Sequence, residues 1–85
     1  MSKQWKVTKW DAERRMLTTS REGGRFEDFW IDPEDDRCPD KWMVEASKHY
    51  GDHDYTSGGT VEIDKSDCGH EYEALLKAAI EFNNG

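Results

Sequence analysis

The chain has 85 residues, 34% of them hydrophobic, with a formal net charge of −7. That length fits a single domain spanning residues 1–85, with a core too thin for a deep enzyme pocket. No stretch approaches the ~20 apolar residues of a membrane span, and "MSKQWKVTKWDAERR" holds no signal-peptide apolar run, so a cytoplasmic protein with no membrane association is expected.

The charge is unevenly spread. Residues 1–26 hold seven Lys/Arg against three Asp/Glu, net +4. Residues 27–54 hold three against ten, net −7, and residues 55–85 hold two against six, net −4. Leu, Ile, Val and Phe number only twelve, but four Trp and three Tyr add large apolar area. A folded, aromatic-rich domain of modest stability follows.

In chain order, "QWKVTKW" at 4–10 alternates Trp5 and Val7 with Lys6 and Thr8, a strand pattern. "RRMLTT" at 14–19 reads as a second strand after a turn at "DAE", with helix as the competing reading. "REGG" at 21–24 supplies turn glycines. "RFEDFWI" at 25–31 reads as a third strand carrying Phe26, Phe29, Trp30 and Ile31.

Pro39 suits a first helical position, and Trp42, Met43, Ala46 and Tyr50 recur at helical spacing, so a helix is expected up to Gly51. Lys41 and Glu45 would pair on its outer face. "GDHDYTSGG" then reads as a polar loop and "TVEID" at 60–64 as a short strand. Ser66 or Asp67 would cap a last helix through about Phe82, burying Tyr72, Leu75, Leu76 and Ala79, with Glu73 and Lys77 paired outside. The expected fold is α+β: a three-stranded antiparallel meander plus a fourth short strand, with two helices packed on one face (βββαβα).

"FWIDPEDDRCPDKW" at 29–42 carries the densest negative charge. It fails as an EF-hand loop: counted from Asp32, the sixth position is Arg37 and the twelfth is Met43, where Gly and Glu are needed. Carboxylates near a helix start are favoured by the helix dipole, which accounts for one or two of them but not for the run. The remaining acids point to a partner-binding face. Its expected residues are Trp30, Asp32, Glu34, Asp35, Asp36, Asp40, Trp42, Glu45, Asp52 and Asp54, with Tyr50 or Tyr55 as further anchors.

Cys38, His49, His53, Cys68 and His70 could ligate zinc, but no close pair such as C-x2-C brings them together, and "HYGDH" lacks the metalloprotease Glu. No metal or other cofactor is expected, and Cys38 and Cys68 read as free thiols. "TSGGT" lacks the G-K-[ST] of a phosphate loop and reads as a turn or bulge. No nucleophile–base constellation is present, so no enzyme activity is expected.

Lys3, Trp5, Lys6, Lys9 and Trp10 interleave cations with indoles, the layout of a single-strand nucleic-acid platform, although a pI near 4.8 is the reverse of the usual footprint. The leading expectation is a small non-catalytic protein-binding domain whose acidic face blocks a basic, nucleic-acid-binding surface of a partner protein, in effect a nucleic-acid mimic. Phage-type inhibitors, anti-defence proteins and immunity proteins share this general composition. The alternatives are a nucleic-acid module built on the basic strand and a small structural zinc domain. The opposite charges of the chain's segments also allow a homodimer.

Overall fold

The computed structural model describes residues 5–32, 38–50 and 54–84. Five strands form one antiparallel sheet: β1 (Trp5–Asp11), β2 (Met16–Arg21), β3 (Phe26–Ile31), β4 (Lys41–His49) and β5 (Tyr55–Asp64). They lie side by side in chain order, β1-β2-β3-β4-β5. One helix, α1 (Glu71–Asn84), packs across one face, touching β2 to β5.

This corrects the expected βββαβα order. Lys41–His49 is a strand, not a helix, and β5 is ten residues long rather than a short strand from Thr60. Trp42, Val44 and Ala46 take the helix side, and Met43, Glu45, Ser47 and His49 take the other. The 3.6-residue stripe and this period-2 alternation overlap in "KWMVEASKHY". The strand wins because β3 and β5 pair with it on both edges and satisfy its backbone groups on both sides. Lys41 accordingly meets Glu62 (3.6 Å) and Asp64 (3.7 Å) across the strands rather than Glu45.

Residues 55–59 lie in β5, not in a loop, and the two central glycines have separate reasons. β4 and β5 slip register between Ala46 and Ser47, so Gly58 is the extra residue of a bulge. A Cβ on Gly58 would lie 2.8 Å from Phe82 Cζ. Gly59 instead has φ +86°, a left-handed conformation with nothing crowding it.

The core lies between sheet and helix. Leu17, Phe29, Val44, Ala46 and Ile63 from the strands meet Ala74, Leu75, Ala78 and Ala79 from α1, with Cys68 closing one end. Three small alanines let the helix approach the sheet closely, and Phe29 meets Phe82 edge-on at 5.4 Å. The helix starts at Glu71 rather than at Ser66 or Asp67, because residues 65–67 form a turn in which Asp67 N donates to Asp64 O (3.0 Å). Its buried face is Ala74, Leu75, Ala78, Ala79 and Asn83, while Tyr72 stays at the rim. Glu73 pairs with His70 (3.1 Å) and Lys77 with Asp67 (3.7 Å) rather than with each other.

β1 is an exposed edge strand tied to both ends of α1. Trp5 Nε1 donates to Asn84 Oδ1 (3.1 Å), and Trp10 meets Tyr72 edge-on at 4.9 Å. No helix among the described residues is long and apolar enough to cross a membrane.

Candidate functional site on the open sheet face

The sheet face opposite α1 follows from the strand register. One cross-strand row runs Lys6, Ser20, Phe26, His49, Tyr55. The next is Thr18, Asp28, Ser47, Ser57, and the third is Met16, Trp30, Glu45, Thr60. No described element packs over these rows; Met43, one row further, is buried.

The first row is an aromatic ladder. The Phe26 and His49 rings stack at 4.4 Å and 3°, and Tyr55 continues the stack at 5.8 Å. His49 Nε2 lies 3.2 Å from Asp28 Oδ2 and 3.0 Å from Ser47 Oγ. Thr18 donates to the other oxygen of Asp28 (2.6 Å), so the carboxylate is braced from both sides. Such braced rings and carboxylates present a fixed surface that loses little side-chain entropy when covered.

Beside this ladder, Trp30, Asp32, Glu45, Ser47, Tyr55 and Ser57 line a cavity of about 380 Å³. Glu45 is positioned by Thr60, whose hydroxyl donates to Oε2 (2.9 Å). Tyr55 is 70% exposed, the most exposed large aromatic among the described residues. Two rings and two carboxylates thus share one concave surface. That set suits a cationic side chain: rings attract a cation over their faces, and the carboxylates add charge.

The expected partner-binding residues divide in space. Trp30, Asp32 and Glu45 come together, and Tyr55 joins them. Trp42 lies on the helix side, where its Nε1 donates to the Cys68 carbonyl (3.1 Å) and Lys65 sits over its ring at 5.0 Å. Asp40 and Asp54 are exposed at opposite ends of the β4–β5 pair, roughly 30 Å apart along nine extended residues. Glu34, Asp35, Asp36 and Asp52 lie outside the described residues, as do Lys3 and His53.

The basic strand is also divided. Lys6 and Lys9 pair with Ser20 and Thr18 on the open side, while Trp5 and Trp10 turn to the helix. Lysines and indoles therefore do not share one stacking platform. Cys38 and Cys68 are free thiols, the first half-buried and the second in the core. Among the described residues, no three His, Cys, Asp or Glu side chains converge on a point that could hold a metal ion.

Sequence reasoning missed the ladder and a buried polar cluster on the other face. Thr19 Oγ1 donates to Glu27 Oε1 (2.8 Å), and Arg21 Nε donates to Glu27 Oε2 (3.1 Å). Arg21 also donates to the Asn83 side-chain oxygen, and Asn83 Nδ2 donates to Thr19 Oγ1 (3.2 Å). The available signal was register: Glu27 alternates in phase with Phe29 and Ile31, so it must face the helix. Comparison with protein-family models, curated proteins and solved structures finds no match for this chain.

Proposed function

We propose that this protein is a small non-catalytic protein-binding domain whose open sheet face docks onto a basic surface of a partner, one that normally engages nucleic acid. The supporting observation is the cavity that gathers Trp30 and Tyr55 with Asp32 and Glu45 on a face without a covering element among the described residues. Charge complementarity commits the occupant: the chain is at −7, and Asp28, Asp32 and Glu45 lie in or beside this cavity, while Lys6 and Lys9 stand apart on β1 and Lys41 is paired with Glu62 and Asp64. The two rings act as anchors, with a Lys or Arg of the partner between them and the carboxylates. Inhibitors and immunity proteins work in this way, by covering a surface rather than by chemistry.

The test is capture of a partner from nuclease-treated lysate, followed by titration of the purified pair. Glu45→Lys with Tyr55→Ala should weaken binding at least about tenfold and flatten its salt dependence. Nucleic acid should compete with the wild type for the partner. Undiminished affinity in the double variant would refute the proposal.

A further inference from the structure

We propose that a second cavity, on the opposite face of the sheet beneath the C-terminal end of α1, binds a small organic oxoanion: a phosphate monoester or carboxylate joined to a flat apolar group. This cavity, about 390 Å³, lies within the range of small-molecule sites. Its floor is the cluster of Glu27 and Asn83, which are only 5% and 3% exposed. Arg21 rises from that floor with Nε and Nη2 committed to Glu27 and Asn83, so its guanidinium plane is fixed before any ligand arrives. Nη1 and the second Nη2 hydrogen are left as the outward end of the guanidinium, a held pair of donors that a planar or tetrahedral oxoanion can accept from.

Two further cations stand at the rim, each held against a ring. Arg25 lies over Tyr50 at 5.9 Å and Lys48 over Phe82 at 5.5 Å. Neither has a carboxylate partner among the described residues. The lining therefore holds three cations against the single carboxylate of Glu27. The helix end adds about half a negative charge, and α1 has no basic residue of its own in its last turn. Serving that dipole uses only part of the cationic charge. Roughly one and a half positive charges remain in the cavity, which matches one oxoanion. A cationic hollow in a chain of net −7 runs against the average field of the molecule. Tyr50 and Phe82 supply apolar walls for the flat portion of the ligand.

The experiment is an amide-resolved NMR titration of the full chain with phenyl phosphate, inorganic phosphate and phenol. Phenyl phosphate should produce saturable shifts at Arg21, Arg25, Lys48 and Asn83. Inorganic phosphate should reach the same residues more weakly, and phenol should leave them unmoved. The Arg25→Gln/Lys48→Gln variant changes only rim side chains and should stay cooperatively folded, melting lower by no more than roughly 10 °C through the two lost ring contacts, while binding phenyl phosphate at least about tenfold more weakly. The Glu45→Lys/Tyr55→Ala variant of the other face should bind it as the wild type does. The proposal is overturned by an absence of saturable shifts, by phenol matching phenyl phosphate, or by a rim variant that binds like the wild type.

Discussion

Gly58→Ala tests the packing of sheet against helix at its tightest point. The added Cβ would meet Phe82 Cζ at 2.8 Å, Phe82 Cε2 at 2.9 Å and Ala46 Cβ at 3.1 Å. The Ala46 contact is tight but can relax by a few tenths of an ångström, whereas the ring contact cannot stand. Phe82 has little freedom to retreat, because its ring sits edge-on to the fully buried Phe29 and carries Lys48 on a face. Overpacking of this kind costs about 1–3 kcal/mol. Alanine also restricts the unfolded chain, which returns about 0.4–1 kcal/mol, since the Gly58 backbone does not need the left-handed region. The net expectation is a loss of about 1–2 kcal/mol, read by urea titration, and a melting temperature lower by roughly 5–15 °C. Phe82→Leu should reduce that loss in a double-mutant cycle by removing the clashing ring edge. Gly59→Ala should cost a comparable ~1–2 kcal/mol through its φ of +86°, with no rescue from Phe82→Leu. A neutral Gly58→Ala, or equal Phe82 coupling at both glycines, would refute this account of the bulge.

Other expectations are simpler. Arg21→Met leaves the buried Glu27 carboxylate without its cation and should cost roughly 3–5 kcal/mol, measured by denaturant unfolding. Trp42→Phe keeps an aromatic ring but removes the donor to the Cys68 carbonyl, so a loss of about 1–3 kcal/mol is expected from the same assay. Tyr55→Ala removes an exposed ring and should change stability by no more than about 0.5 kcal/mol, so that a binding defect in that variant reads out the face rather than the fold.

The first three strands were legible because Trp5/Val7, Leu17/Thr19 and Phe26–Ile31 carry β-forming residues between clear turn signals. The fourth was not. Trp42, Met43 and Ala46 satisfy a helical stripe locally, and Pro39 imitates a helix start, yet Pro39 and Asp40 form a turn leading into β4. What decides for a strand is non-local: two neighbours that complete its hydrogen bonds. "YTSGG" was hidden for a related reason. Gly58 and Gly59 look like loop formers, while in the fold Gly58 is the bulge residue that makes room for Phe82 and Gly59 takes a left-handed φ of +86°. Of the expected site, Trp30, Asp32 and Glu45 were recoverable from charge and aromatic content. Trp42 could not be placed without knowing that β4 alternates. The Phe26–His49–Tyr55 ladder joins residues 29 positions apart in sequence, so no local pattern could announce it.

The topology turns the charge order of the sequence into a direction in space. In a meander whose strands lie in chain order, position along the chain maps onto position across the sheet. Among the described residues, 5–25 hold six Lys/Arg against three Asp/Glu (net +3) and build β1 and β2, while 26–32, 38–50 and 54–64 hold two against eight (net −6) and build β3 to β5. Five strands span roughly 19 Å across, about two screening lengths at 0.1 M salt, so the two edges act on a partner as separate poles. A basic surface is then drawn to the β3–β5 side, where the cavity of Trp30, Glu45 and Tyr55 opens. This separates the roles of the two substitutions in the binding test. Glu45→Lys reverses a charge that steers the approach and then contacts the docked cation, so it should slow association, more so at low salt, and also speed dissociation. Tyr55→Ala removes a contact made only after docking and should act mainly on dissociation. The same polarity bears on self-association. β1 exposes Lys6 and Lys9 at one edge, while β5 exposes Glu62 and Asp64 at the other. Like edges repel, and unlike edges meet head to tail, a contact that does not close on itself. Edge pairing would therefore give open chains rather than a symmetric homodimer, and sedimentation at low salt would reveal it as a concentration-dependent series instead of a single dimer.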